Sequence, residues 1–125
     1  MYICTISDKL MHELSIAQSI VELAEQEARN YNAVIIEELE LEIGVLAGID
    51  TDALMFALES ATKGSQLEKA RILTQQIAGV GHCGDCENLF PVETLFSACP
   101  FCGSFAVKII KGKELRIKSI VVNNK

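Results

Sequence analysis

Two pairs of cysteines in the second half of the chain have the types and spacing that most clearly indicate chemistry. They are Cys83 and Cys86, followed by Cys99 and Cys102, with twelve residues between the pairs. A gap of two residues lets both sulfurs of a pair face one ion, and two such pairs complete a tetrahedral site. Because four thiolates leave no open coordination position, we expect these cysteines to hold a structural zinc ion rather than a hydrolytic one.

The residues alone leave other interpretations of this cage open. Iron also suits four tetrahedral sulfurs, as in a rubredoxin-like electron carrier, and four ordinary buried thiols are the alternative without a metal. His82 directly precedes Cys83 and is a candidate ligand or hydrogen-bond donor, although such a residue is more often merely exposed. Cys4 stands outside both pairs.

A second feature is Met11-His12-Glu13, which opens an amphipathic stretch. Considered alone, His12 is most simply interpreted as an exposed imidazole at a helix N-terminus. Apolar residues spaced alternately by three and four predict that helix over residues 14–29. Its predicted buried stripe consists of Leu14, Ala17, Val21, Ala24 and Ala28.

The elements that must position both features follow from periodicity. Strict alternation of Leu39, Leu41 and Ile43 with glutamates predicts a half-buried strand over residues 33–45. A second helix is predicted over residues 52–62, with Asp50 among the candidate N-caps, and a further strand over residues 70–77.

The pattern changes at residues 78–81, which are small and glycine-rich. We therefore place a domain boundary there and expect a flexible joint that lets the cysteine-containing segment swing. Beyond the cysteines, strands are predicted over residues 105–110 and 114–122, joined by a turn at Lys111-Gly112. We expect the last strand to pair with the first domain's sheet.

Composition restricts the class of protein. The chain has 125 residues, half of them apolar, and a net charge of −6. It contains no apolar run long enough to span a membrane, and residues 1–10 lack the features of a signal peptide, so we expect a cytoplasmic protein with no membrane partner. The acidic body disfavours nucleic acid. The basic segment 108–125 either contacts an acidic partner or pairs with that body.

Taken together, the motifs resemble those of the HypA/HybF family of nickel metallochaperones. The resemblance runs from residue 11 to about residue 122 and rests on four stretches besides the cysteine pairs: MHELSIAQSIV, LEIGVLAGID, DALMFALESATKGS and GKELRIKSIVV. It implies an α+β fold in which a small antiparallel sheet with two helices carries an inserted Cys4 zinc-ribbon domain. The implied divisions are an N-terminal extension (1–10), a nickel-binding domain (11–78), a zinc ribbon (79–110) and a returning C-terminal strand (111–125).

The resemblance also implies a function. Family members are not enzymes but hand Ni(II) to the [NiFe]-hydrogenase large-subunit precursor, working with the GTPase HypB, and some serve urease maturation proteins. The matching nickel residue is His12, with Met11 and Glu13 beside it, whereas zinc falls on Cys83, Cys86, Cys99 and Cys102. Ni(II) with nitrogen donors favours a square plane, which an imidazole, backbone amides and a terminal amine can supply. A homo-oligomer is compatible with the sequence.

This chain departs from the family at its start. Met-His-Glu begins the protein in the family, but ten residues precede it here. We expect Met11 to be the biological start. If Met1 is the start, the terminal-amine donor is lost from the site, and Cys4 becomes a candidate soft ligand.

Two other classes of function remain as alternatives. A zinc-ribbon adaptor that binds nucleic acid or a protein partner would need only the cysteine spacing and the basic segment. An iron-loaded electron carrier would need only the cage. A metal-dependent enzyme is disfavoured because a four-sulfur site is closed and the chain contains two histidines.

Overall fold

The computed structural model describes residues 13–123. The elements follow the chain in the order α1 (Glu13–Asn30), β1 (Ile35–Gly44), α2 (Thr51–Ala61), β2 (Arg71–Ile77), β3 (Val80–Cys83), β4 (Leu89–Pro91), β5 (Val107–Lys111) and β6 (Leu115–Asn123). The strands form two three-stranded sheets, with the orders β2-β1-β6 and β4-β3-β5. The expected α+β class with two helices and a cysteine-bearing ribbon is confirmed.

Helix α1 begins and ends one residue beyond its predicted limits. Its buried face consists of Ile16, Ala17, Ile20, Val21, Ala24 and Ala28. The prediction of a buried Leu14 is wrong: this residue lies in the first turn at the edge of the apolar face and is 48% exposed. Within residues 13–123, neither helix is both long and apolar enough to cross a membrane.

Strand β1 is the central strand of the first sheet, and its alternation is as predicted. Leu39 and Leu41 are fully buried in the core that also contains the helices, whereas the intervening glutamates lie on the opposite face. β6 pairs with β1 in the antiparallel direction, whereas β2, which returns through the α2 crossover, pairs in the parallel direction. Antiparallel pairs therefore dominate the two sheets, with one parallel pair at the edge.

Helix α2 begins and ends with the signals expected from its sequence. The carboxylate of Asp50 accepts a hydrogen bond from the backbone N–H of Ala53 at 3.1 Å and so caps the N-terminus. Just beyond the C-terminus, Gly64 has a φ of +78°, a conformation that glycine adopts without a steric penalty.

The glutamates on the outer face of β1 pair with bases from both neighbouring strands. Glu38 meets Arg71 of β2 at 2.8 Å, Glu40 lies 3.7 Å from the ammonium of Lys118, and Glu42 contacts Arg116. Two bases of the basic segment 108–125 thus pair with the acidic body. This agrees with the second of the two interpretations of that segment given above.

The second sheet is an insertion into the first. β3, β4 and β5 lie between β2 and β6 in the chain, yet β6 returns to pair with β1. The small core of this ribbon contains Leu46, Phe90, Val92 and two of the cysteines. Because so few apolar side chains are buried here, the ribbon depends on whatever holds its cysteines together.

Three glycines in and beside the ribbon lie in close contact with their neighbours. A Cβ placed on Gly79 would overlap the carbonyl oxygen of Val92, and one on Gly112 would lie 2.7 Å from the Cα of Gly79. Gly81 belongs to β3 and would also clash with Val92 if it carried a side chain. These glycines permit close packing, whereas the expected swinging of the ribbon about residues 78–81 stays a prediction.

Candidate metal centre

The four cysteines predicted to bind zinc lie together at one end of the ribbon. Their sulfur atoms all fall within 4.8 Å of one another. Cys83 Sγ lies 3.6 Å from Cys102 Sγ, and Cys86 Sγ lies 3.6 Å from Cys99 Sγ. A tetrahedral zinc–sulfur site requires sulfur atoms about 3.8 Å apart, so the four residues fit a metal of this kind.

The two pairs are built on the same local turn. In the first, the N–H of Glu87 donates to the carbonyl oxygen of Cys83 at 2.9 Å; in the second, the N–H of Gly103 donates to that of Cys99 at 2.8 Å. The residue that closes each turn has a positive φ, +60° at Glu87 and +76° at Gly103. The turns therefore aim both sulfurs of each pair at one point.

Backbone and side-chain donors also point at the sulfurs. The N–H of Cys86 donates to Cys83 Sγ at 3.4 Å, and the N–H of Phe101 donates to Cys99 Sγ at 3.4 Å. The side-chain amide of Asn88 donates to Cys86 Sγ at 3.3 Å. Such donors stabilise thiolates, the form in which cysteine binds a metal.

The sulfurs perturb one another's titration because they are so close. The backbone N–H of Cys86, followed by that of Asp85, lowers the pKa of the Cys83 thiol to about 6. The pKa of the Cys102 thiol moves the other way. The backbone N–H of Ser104 acts to lower this pKa, but hydrogen bonding to Cys83 and burial outweigh that effect and raise it to about 12. Four thiolates at this spacing repel one another without a cation among them, so the donor set suits a divalent metal ion.

A further contact braces the two turns against each other. The hydroxyl of Ser104 donates to the carboxylate of Asp85, and the same hydroxyl accepts from the N–H of Ala106 at 3.0 Å. The N–H of Gly84 in turn donates to the Ala106 carbonyl oxygen at 2.8 Å. The first cysteine pair is thereby fixed to the segment that follows the second pair.

His82 lies on β3, where it pairs with Leu89 of β4 and Lys108 of β5. Across residues 13–123, the cluster of close ligand atoms contains the four cysteines and not this histidine. Its suggested role as an alternative ligand therefore finds no geometric support in this arrangement.

Of the residues predicted to hold nickel, Glu13 alone belongs to the part of the chain that the structure describes, as the first residue of α1. Met11 and His12 lie outside the described residues, as does Cys4, so their role stays a prediction. A connection of four residues, 31–34, joins α1 to β1.

Sequence reasoning missed two residues of this centre. Asn88 follows the first cysteine pair by two residues, a position from which a side-chain amide can reach back to a sulfur. Glu87 occupies the positive-φ position that glycine fills in the second pair. Glutamate rarely adopts this conformation, so the residue type does not predict it. Gly84, between the cysteines of the first pair, packs against the carbonyl oxygen of Ala106.

Comparison with known proteins gives matches along almost the whole chain. A family model described as "Hydrogenase/urease nickel incorporation, metallochaperone, hypA" matches residues 11–122. A hydrogenase maturation factor HypA from Parabacteroides distasonis is 63% identical over 112 residues, covering 90% of this chain and 97% of that protein. A second hydrogenase maturation factor HypA, from Geobacter sulfurreducens, is 42% identical over 114 residues, covering 90% of this chain and 99% of that protein.

Solved structures match the fold as well. The solution structure of the Ni metallochaperone HypA from Helicobacter pylori superposes with a TM-score of 0.70 at 27% identity. The match covers 92% of this chain and 100% of that one.

Proposed function

This chain belongs to the HypA family of hydrogenase/urease nickel-incorporation metallochaperones, and from that membership we propose that it binds Ni(II) and delivers it during [NiFe]-hydrogenase maturation. One observation carries the proposal: a single family match extends from residue 11 to residue 122 and so includes both Met11-His12-Glu13 and the four cysteines. The match therefore spans both the residues that we propose as a cargo site and those that we propose as a resident site.

Nickel is the cargo in this proposal, and His12 is its principal side-chain ligand. An imidazole with adjacent backbone amides supplies the nitrogen donors that Ni(II) favours in a square plane. Glu13 attracts the cation and orients the imidazole, and Met11 contributes its backbone amide, or its amine when it is the first residue. A site built from backbone nitrogens and one imidazole suits a metal that must be released to a recipient.

Zinc is the resident metal, held by Cys83, Cys86, Cys99 and Cys102. Their sulfur spacing fits a closed tetrahedral site, which leaves no position for substrate or water. When bound, zinc supplies folding free energy, on the order of 10 kcal/mol in small zinc modules. The ribbon needs that contribution because its own apolar core is so small.

The partners follow from the proposed delivery. We propose that the hydrogenase large-subunit precursor receives the nickel, with the GTPase HypB acting in the same step and urease maturation proteins as further recipients in the cytoplasm. We also propose that residues 11–78 and 111–125 form the nickel-binding unit, with residues 79–110 as the zinc unit. The adaptor alternative loses support because Arg116 and Lys118 pair with the body.

Replacing His12 by alanine tests the proposal directly. We expect His12→Ala to abolish nickel binding in a calorimetric titration, while zinc content measured by mass spectrometry stays at one ion per chain. His82→Ala is the matched control, and it should retain both metals. Unchanged nickel binding in His12→Ala, or joint loss of nickel and zinc, would overturn the two-site proposal.

A second experiment examines the terminal amine. A form that begins at Met11 should bind nickel more tightly than the form that begins at Met1, because its free amine joins the nitrogen donors. Acetylation of the Met11 form should remove the difference. Equal affinity in all three forms would exclude the amine as a ligand and leave His12 with backbone amides alone.

A further inference from the structure

The outer edge of β2 is open. Within residues 13–123, no strand pairs with this edge, because β2 is the outermost strand in the order β2-β1-β6. Its register with β1 is unbroken over seven pairs, from Arg71 to Ile77. A strand of unbroken register with one charged residue and no proline is the type of edge to which another strand adds most readily.

The opposite edge of the sheet is less suited to such pairing. Strand β6 pairs with β1 through two register shifts, one on each side of Glu38–Glu40. It also places Lys118 near its middle. Irregular register and a lysine are features that protect strand edges from added strands. The comparison therefore favours β2 over β6 as a docking edge.

A groove of about 700 Å³ lies between α2 and the edge strand β2. Its apolar lining includes Met55 and Phe56 from α2 and Ile72 from β2. Phe56 is 75% exposed, so a partner that buried its ring would remove a large apolar surface from water, which favours binding. The groove thus offers an aromatic contact directly beside an unpaired strand edge.

The charge around the groove is mainly acidic. Asp52, Glu59 and Glu68 contribute three carboxylates to its lining, against the single ammonium of Lys63. Glu68 also accepts a hydrogen bond from the N–H of Gly64 at 2.8 Å. An occupant that carries basic side chains would complement this charge.

We propose that the outer edge of β2 and this groove form a docking site for an extended segment of a partner protein in which apolar side chains alternate with lysine or arginine. The segment adds to β2 as a further strand, places an apolar side chain against Phe56, and directs basic side chains to Asp52 and Glu59. Strand addition of this kind derives affinity from main-chain hydrogen bonds and specificity from alternate side chains. Neither proposed metal site uses these residues, so the inference stands apart from nickel delivery.

A synthetic peptide provides the test. The probe is a nine-residue blocked peptide in which lysine alternates with valine and a phenylalanine occupies the central apolar position; the comparison peptide has glutamate in place of every lysine. With the full chain, we expect the lysine peptide to protect alternate backbone amides of β2 from hydrogen exchange. The glutamate peptide should bind at least tenfold more weakly.

Two pairs of variants locate the site. Phe56→Ala should weaken the lysine peptide at least tenfold, whereas Phe96→Ala, which removes a phenylalanine that is 91% exposed on the ribbon, should not. Glu59→Gln should weaken it severalfold, whereas Glu22→Gln on the exposed side of α1 should not. Zinc content and nickel titration report whether each variant keeps its metal sites, which separates failure here from failure of the proposed function.

Several outcomes would overturn the proposal. They are no binding up to millimolar peptide, equal binding of both peptides, protection on β6 in place of β2, or equal effects of Phe56→Ala and Phe96→Ala. Binding that occurs only after removal of residues 1–10 would also overturn it, because the occupant would then be the chain's own N-terminal extension.

Discussion

Gly44 and Gly112 lie backbone against backbone where the two sheets meet. A Cβ on Gly44 would overlap the carbonyl carbon and oxygen of Gly112. That oxygen accepts a hydrogen bond from the N–H of Leu46 at 2.6 Å, and the side chain of Leu46 packs into the ribbon core. The end of β1 therefore packs against the segment that joins the two sheets, and a single methyl group there would push that segment away.

The first prediction concerns this contact. Gly44→Ala should lower the free energy of unfolding by about 3 kcal/mol, the upper part of the range for overpacking, because backbone atoms cannot move aside as side chains do. Urea denaturation measures the change. Gly48→Ala is the control: its φ of +74° is strained by a Cβ, but nothing lies within 4 Å. We expect a loss of about 1 kcal/mol there, and equal losses at both positions would contradict the steric explanation.

Removal of zinc should unfold the ribbon and leave the first sheet folded. The ribbon buries Leu46, Phe90 and Val92 with its cysteines, whereas the helices share a separate, much larger core. After treatment with a strong chelator, we expect amide NMR signals of residues 80–111 to collapse to unfolded positions and those of residues 13–77 to stay dispersed. Cys83→Ser should reproduce the effect and Cys4→Ser should not. A ribbon that remains dispersed without metal would contradict this prediction.

Asn88 should affect how tightly zinc is held. Its side-chain amide donates to Cys86 Sγ, and loss of hydrogen bonds to metal ligands commonly weakens binding about tenfold or more. We therefore expect Asn88→Ala to lower zinc affinity about tenfold in competition with a chromogenic chelator. Asn30→Ala, at the exposed end of α1, provides the control. Equal affinities for the two variants would show that this N–H···S contact contributes nothing.

The ion pairs on the outer face of β1 should differ in strength. Glu42 is 13% exposed and contacts Arg116, whereas Glu38 pairs with Arg71, which is 73% exposed. Water screens the second pair more strongly, so Glu42→Gln should cost about 1 kcal/mol of unfolding free energy and Glu38→Gln less than about 0.5 kcal/mol. Urea titrations at low and high salt check both values. A larger loss for Glu38→Gln than for Glu42→Gln would mean that solvent exposure does not govern the strength of these ion pairs.

Periodic stretches of the sequence predicted the first sheet well. Leu39 and Leu41 alternate with glutamates, and the structure buries the leucines and places the glutamates on the opposite, partly exposed face, because a strand has only two sides. Asp50 was identifiable as a cap because few residues can accept a hydrogen bond from a helix's first N–H groups. The four cysteines were identifiable because their spacing has one simple geometric solution.

Features that the sequence did not reveal depend on contacts distant in sequence. Gly79 and Gly81 lie against Val92, a contact that composition could not show. The parallel direction of β2 follows from the α2 crossover rather than from any residue in the strand itself. The predicted burial of Leu14 is wrong because, although this residue satisfies the helical period, it is 48% exposed.

The insertion of the ribbon before β6 also sets an order of synthesis. As the chain leaves the ribosome, both cysteine pairs emerge before the strand that completes the first sheet, so β1 gains its antiparallel neighbour only after the ribbon has emerged. The sulfur cage can therefore close on its metal before residues 115–123 reach β1. A chain that emerged without that metal would carry an unclosed ribbon between β2 and the strand that must complete the sheet.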